Sequence, residues 1–331
     1  MRNFLSKVML FIALPLTLIL ISDLILRNQN TLYKEKYEGA KKAKDSIEVL
    51  ILGTSQTTYG INPEEFDLYA YNIANLAQSL YFDKRITLSL LSDLPKLKYV
   101  FISIGYHSLA FSSQPNRDFW SYYGNGIKYK RTNYFFANLS PTLFGYTPKV
   151  SYAMHKRRII NRWKYGKEII DFEVENDVNL FQPAVKGFIA LDGRDTLNFN
   201  PEAYDFLSNH YTEIINESDE KEEILEDLED FIQILLAKDV TPILISPPNY
   251  TKYNAYLNKA YIDENVEASR RIAEKYNIKY WDFHDSNRFN IMDFHDMDHL
   301  NRKGASKFSA MLNDSIKKIE MRTSRSMASL N

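Results

Sequence analysis

Cysteine is absent from all 331 residues, which removes disulfides, thiolate nucleophiles and every cysteine-ligated metal site from consideration. That absence leaves the compartment open, because a chain of this length can bury a large core without cross-links. A surplus of charge is missing as well: 41 Lys and Arg against 42 Asp and Glu leave a formal net charge of -1. No global field recruits nucleic acid, so nucleic acid is not an expected partner. Internal repeats and low-complexity tracts are lacking too. What remains, 45% apolar and 25% charged residues, is an ordinary globular balance with room for one large domain or two smaller ones.

A single long apolar run stands out, and it lies at the N-terminus. Arg2 and Lys7 precede Val8 to Ser22, and after Asp23 the apolar character resumes at Leu24 to Leu26. About 19 such residues is close to the minimum for a helix crossing a bilayer. The positive flank predicts a cytoplasmic N-terminus, with everything after about residue 30 outside. A cleaved signal peptide would need a small-x-small site, and none follows the run. A buried core helix would show a polar face, and this run has none. Residues 1–30 therefore read as an uncleaved single-pass anchor, with Asp23 near the outer interface.

Residues 28–46 are polar and lysine-rich and read as a tether or surface helix. Four short apolar runs follow: Glu48 to Leu52, Tyr99 to Ile104, Val240 to Ser246 and Ile278 to Phe283. Gly53 follows the first, Gly105 the second and Pro247-Pro248 the third, as expected of buried parallel strands that end in turns. Between them the pattern predicts helices over about 78–94, from Ser218 onward, over about 254–276 and from Asn301 to about Ile319. Strands alternating with amphipathic helices predict an α/β fold, a parallel sheet covered on both faces with its ligand at the carboxyl ends of the strands. Residues from about 112 to 200 break this alternation. They carry many aromatic residues and a basic cluster (His155, Lys156, Arg157, Arg158, Arg162, Lys164, Lys167), and they read as an insertion that forms a lid, a substrate wall or a solvated basic helix.

Two segments carry residues with chemistry. Gly53-Thr54-Ser55-Gln56 puts a serine at a strand-to-helix turn, where its hydroxyl is exposed and its own backbone N–H can help bind an oxyanion. Taken alone, that pattern is more often a structural turn, and it needs a base. Asp293-Phe294-His295-Asp296-Met297-Asp298-His299 supplies one: Asp296 stands three residues before His299, a spacing that lets a loop set the carboxylate against the imidazole. A competing reading makes His295, His299, Asp293, Asp296 and Asp298 a metal site. It is ranked lower because such ligands usually sit on a regular helix and this segment is too rich in aspartate to be one, so no metal or cofactor is expected. His210 and His284 read as core or surface residues, while Asp282 or Asp285 could support the site from the end of the fourth strand.

With these residues the chain resembles the SGNH, or GDSL-like, hydrolases and acyltransferases. Gly53-Thr54-Ser55-Gln56 matches the family's nucleophile block. Asp296-Met297-Asp298-His299, continued by Leu300-Asn301 and Gly304-Ala305, matches its final D-x-x-H block. The resemblance implies a three-layer flavodoxin-like fold over residues 31–331, interrupted by the 112–200 insertion, and a Ser55-His299-Asp296 triad. The middle blocks depart from the pattern. Ala77 stands for the usual glycine N–H donor, and Gly105-Tyr106-His107-Ser108 replaces G-x-N-D, so that His107 takes the place of an asparagine. Gly105 and His107 are thus expected at the oxyanion or substrate-binding side. The chain is also similar to D-alanine transfer and polysaccharide O-acetylation proteins in having an anchor before such a domain. This implies an O-acyl esterase or O-acyltransferase on an extracytoplasmic polysaccharide, with a membrane acyl-donor protein as a candidate partner. Trp120, Tyr122, Tyr123 and Trp163 of the insertion are candidates to stack on sugar rings. The alternative is a catalytically weak glycan-binding or envelope-assembly component on the same fold.

Overall fold

The computed structural model describes residues 2–27, 32–110, 122, 127, 140, 185–196 and 199–328. The basic cluster, including His155, and the aromatic residues Trp120, Tyr123 and Trp163 lie outside the described residues. The chain divides into two compact units, one of Met1–Glu35 and Gln114–Phe181, the other of Lys36–Ser113 and Gln182–Asn331.

The first unit contains helix α1, Arg2–Arg27, with Pro15 inside it. Among the described residues it is the one helix long and apolar enough to cross a membrane, by its Lys7–Leu24 stretch. Asp23, expected near an aqueous interface, is buried. Tyr122, expected to be available to a sugar, is fully buried and packs its ring 4.4 Å from that of Tyr33.

The second unit is built on a parallel sheet of five strands: β1 Val49–Ile51, β2 Ala70–Asn72, β3 Tyr99–Ser103, β4 Thr241–Ser246 and β5 Lys279–Asp282. Their order across the sheet is β2-β1-β3-β4-β5. The chain thus grows outward in one direction from β1 to β2 and in the other from β3 onward. A crevice opens at such a switch point, between β1 and β3. The register aligns Ile51 with both Asn72 and Phe101, so β1 and β2 end level while β3 runs on to Ser103, and the turns after all three lie at the same edge of the sheet.

Side chains alternate across the sheet. Val49, Ile51, Tyr99, Phe101, Ile243 and Ile245 join one cluster with Phe308, Leu312 and Ile316 of the last helix, Arg302–Ala328. The opposite face is served by two helices, Leu80–Leu91 and Lys221–Leu236, which pack on each other, the latter also on β4. The helix over 78–94 is realised two to three residues shorter at each end, starting after Ser79. The single helix expected over 254–276 is instead a turn at Thr251–Asn254 and a helix Lys259–Lys275, separated where the Asn258 side chain accepts the N–H of Tyr261 as an N-cap. Among the described residues, β2 and the helix Pro201–Asn216 are elements with no counterpart in the sequence reading. The lysine-rich stretch contains the helix Leu32–Lys42, yet Lys36 is buried, with its Nζ donating to the carbonyl of Ala74. Tyr71 donates to the Lys36 carbonyl at 2.9 Å, and Tyr37 shares a 2.9 Å hydrogen bond with Ser89, so from Lys36 on this helix is part of the packed unit.

Among the described residues the α-helices are, in chain order, α1; α2, Leu32–Lys42; α3, Ser55–Gly60; α4, Leu80–Leu91; α5, Pro201–Asn216; α6, Lys221–Leu236; α7, Thr251–Asn254; α8, Lys259–Lys275; and α9, Arg302–Ala328.

Candidate active site

Ser55 is the first residue of α3, which follows the carboxyl end of β1 beside β3. The turn before it is tight. Gly53 adopts φ +126°, and a Cβ there would come within 2.4 Å of Ser103 Cβ and 2.5 Å of Thr57 Oγ1, so only glycine fits. Thr54 accepts from the Thr57 and Thr58 N–H groups and from the Thr57 hydroxyl, which closes the first turn of α3 beneath the serine.

The second half of the site is a small hairpin. Phe294 and Leu300 form an antiparallel bridge, and His295 N–H donates to the His299 carbonyl at 2.8 Å. Asn301 closes it: its side-chain amide donates to the carbonyls of Met292 and Phe294, and its Oδ1 accepts from Gly304 N–H, which caps α9. Asp293, fully buried, faces Lys307 at 2.9 Å and accepts from Asn290 N–H.

The two halves meet. His299 Nε2 lies 2.8 Å from Ser55 Oγ, and His299 Nδ1 lies 2.9 and 3.0 Å from the two oxygens of Asp296. Asp296 Oδ1 also accepts the backbone N–H groups of Asp298 and His299, so the carboxylate is fixed by its own loop. Burial works against its charge, but the His299 ring and these hydrogen bonds outweigh it and hold the carboxyl below its ordinary range. Asp298 brings a second carboxylate to within 3.3 Å of His299 Nδ1. Burial pushes its carboxyl up, and Tyr211 donates to its other oxygen at 3.4 Å. Tyr59 sets its ring edge-on to His299 at 5.5 Å.

The residues expected on the oxyanion side fall into three situations. Ala77 occupies a turn with φ +50°, and its backbone N–H has no hydrogen-bond partner among the described residues. His107 is buried and stacked on Tyr211 at 4.7 Å with 13° between the rings. Burial first, then the nearby His299 and His210, lower its pKa to about 4, so the ring is neutral at pH 7 and carries a single N–H. Gly105 has its N–H donated to Ser108 Oγ at 2.8 Å. Its contribution is the missing side chain, because a Cβ would meet Gln56 Oε1 at 2.7 Å. Through that gap Gln56 reaches Asn249 Oδ1 at 2.7 Å and the Asp298 carbonyl at 3.4 Å, which ties the serine helix to the histidine loop.

The other candidates are occupied elsewhere. Asp282 accepts from His284 N–H, and Asp285 from the Asn254 amide. His210 is exposed on α5. A groove of about 750 Å³ lined by Asn254, Leu257, Arg270, Asp282, His284 and their neighbours does not include Ser55 or His299. Of the five residues weighed as a metal cluster, Asp296, Asp298 and His299 offer ligand atoms within 4.8 Å of one another, while Asp293 is turned to Lys307. With Nε2 facing Ser55, the ring nitrogen available to a cation there is the one that hydrogen-bonds Asp296.

Asp298 stood in the sequence motif beside His299, and its acidic character was the signal for a second carboxylate. Tyr211 gave no such signal, because it arrives on a helix that sequence periodicity did not reveal.

No protein-family model matches the chain, and no curated protein matches it.

Proposed function

We propose that the chain is a serine-dependent O-acyl esterase or O-acyltransferase of the SGNH type that acts on an extracytoplasmic glycan through an acyl-Ser55 intermediate. The observation that carries this reading is the 2.8 Å approach of Ser55 Oγ to His299 Nε2, with Asp296 on the other ring nitrogen. The strand order, the serine directly after β1 and the D-x-x-H loop directly before the last helix support a three-layer SGNH-type fold.

Ser55 Oγ attacks the acyl carbon as its proton passes to His299 Nε2, and Asp296 stabilises the imidazolium. The departing sugar oxygen takes that proton, leaving an ester on Ser55. Water or a second sugar hydroxyl then gives its proton to His299 and attacks the ester. Collapse returns the proton to Ser55 Oγ and releases an acid or a new ester. Each addition places negative charge on the acyl oxygen, for which the Ser55 and Ala77 N–H groups and the neutral His107 ring are the candidate donors. The apolar stretch of α1, with Arg2 and Lys7 at its N-terminal side, supports a single-pass anchor with its N-terminus inside and the enzyme unit outside, where a polysaccharide and a membrane acyl-donor protein would meet it.

The test is intact-mass and peptide mapping of the detergent-solubilised full chain after treatment with a fluorophosphonate. The expected result is one adduct on Ser55 that is lost in His299→Ala. A folded protein that takes no adduct would overturn the acyl-enzyme reading in favour of a glycan-binding or assembly role.

A further inference from the structure

Beneath the nucleophile turn lies a carboxylate that the reaction above does not use. Asp83, in the first turn of α4, is 1% exposed. Its Oδ1 accepts the backbone N–H of Gly53 at 3.2 Å and the side-chain amide of Gln78 at 2.6 Å. Gly53 lies two residues before Ser55, and Gln78 directly follows Ala77. A single oxygen atom therefore bridges the turn that presents the nucleophile and the loop that presents the candidate oxyanion donor. The same two segments are joined from the other side, where Asn75 N–H donates to the Gly53 carbonyl at 3.0 Å.

A surface role does not account for this carboxylate, because it is sealed from water and among the described residues no hydrogen-bond partner reaches its Oδ2. Burying a carboxyl group is costly. An ordinary helix position would carry an apolar residue there, as Phe82 and Ile86 do on the same helix, both fully buried. The residue at 83 instead offers an acceptor to an amide that β1 cannot satisfy, since Gly53 has already left the strand.

We propose that Asp83 is a positioning residue for the candidate site, setting the distance between Ser55 and the Ala77 N–H by holding Gly53 and Gln78 on one oxygen. The claim rests on the acyl-serine reading for its consequence in catalysis, while the clamp itself is measurable without catalysis.

The experiment is hydrogen exchange followed by mass spectrometry on the detergent-solubilised full chain, paired with fluorophosphonate labelling of Ser55. Asp83→Leu keeps the shape and removes the acceptor; Asp83→Ala serves if the leucine variant does not fold. Asp83→Asn keeps an acceptor oxygen. The expected result is faster exchange, by tenfold or more, in peptides covering Gly53–Ser55 and Ala74–Gln78 in the leucine or alanine variant. Peptides from β3 and β4 should keep wild-type protection, and the asparagine variant should retain it throughout. Labelling per folded molecule should fall at least tenfold in the leucine or alanine variant and recover in the asparagine variant.

Exchange that is unchanged in the leucine or alanine variant, or raised equally over the whole sheet, overturns the proposal. So does loss of protection in Asp83→Asn, and so does failure of both other variants to fold while Asp83→Asn folds. Labelling that stays at the wild-type rate despite local exchange overturns the link to the site. If the wild-type chain takes no adduct but the exchange pattern is as expected, the clamp stands and the acyl-serine reading falls.

Discussion

Asp296, Asp298 and Asp83, the first half-buried and the other two buried, hold their protons differently. Asp296 gains more from His299 and two backbone N–H groups than burial costs it, and stays ionised. Asp298 is dominated by burial, with the charge of Asp296 adding to the upward push. Asp83 meets burial with two donors on one oxygen only, and its pKa rises to about 7. The sign for stability follows from linkage. The folded chain binds the Asp83 proton more tightly than the unfolded chain, so this group's contribution is fully present at pH below about 4 and declines as pH rises toward 7. Asp83→Asn cannot ionise and keeps the acceptor. Its stability relative to wild type is therefore expected to rise between pH 4 and pH 8, by on the order of 2–4 kcal/mol. Chemical denaturation midpoints of both proteins across that range check it, and a constant difference would mean that Asp83 keeps an ordinary pKa.

Among the elements, α9 packs against α3 and so joins the Ser55 segment to the His299 segment. Its N-terminus is capped by Asn301, which also ties the His299 hairpin, and its apolar stripe fills one face of the sheet. Phe308 is the centre of that stripe, fully buried, with its ring 5.1 Å from Phe283 and 5.9 Å from Phe289. Phe308→Ala is expected to cost about 3–5 kcal/mol in equilibrium unfolding. Because the histidine loop is anchored to the same helix, Ser55 labelling should weaken well below the denaturation midpoint. The strands β1, β3 and β4 were legible because each is a nearly continuous apolar run, as a doubly covered parallel strand must be. Strand β5, at the sheet edge with Lys279 and Asp282 exposed, was legible only through its apolar and aromatic neighbours from Ile278 to Phe283. Strand β2 was not, because it is three residues long and ends in Asn72, whose amide is spent inside the fold on the carbonyls of Thr57 and Ile61. Helix α5 lay hidden behind the insertion, although its Asn200-Pro201 start is an N-cap signal in the sequence.

At the scale of the whole molecule the proposed anchoring is tested by finding which side of a membrane the sheet-bearing unit faces, and the missing cysteine makes that measurable. Asp45 is exposed in the turn after α2, so Asp45→Cys introduces a single thiol. A membrane-impermeant maleimide is expected to label it in intact cells as fully as in lysed ones; labelling only after lysis would place the unit inside. The amino-acid sequence alone determined the apolar segment and the α/β class, which depend on hydrophobic period, and set Asp296 three residues before His299; its resemblance to the SGNH family is what implied Ser55 as their partner, 244 residues away from His299. The tertiary structure alone decided what reaches the site from a distance. Tyr211 came to Asp298 across 87 residues, His107 came to lie buried on Tyr211, and Asp83 came to Gly53 across 30, because contacts at such separations are set by how helices pack on a sheet, and no local pattern records that.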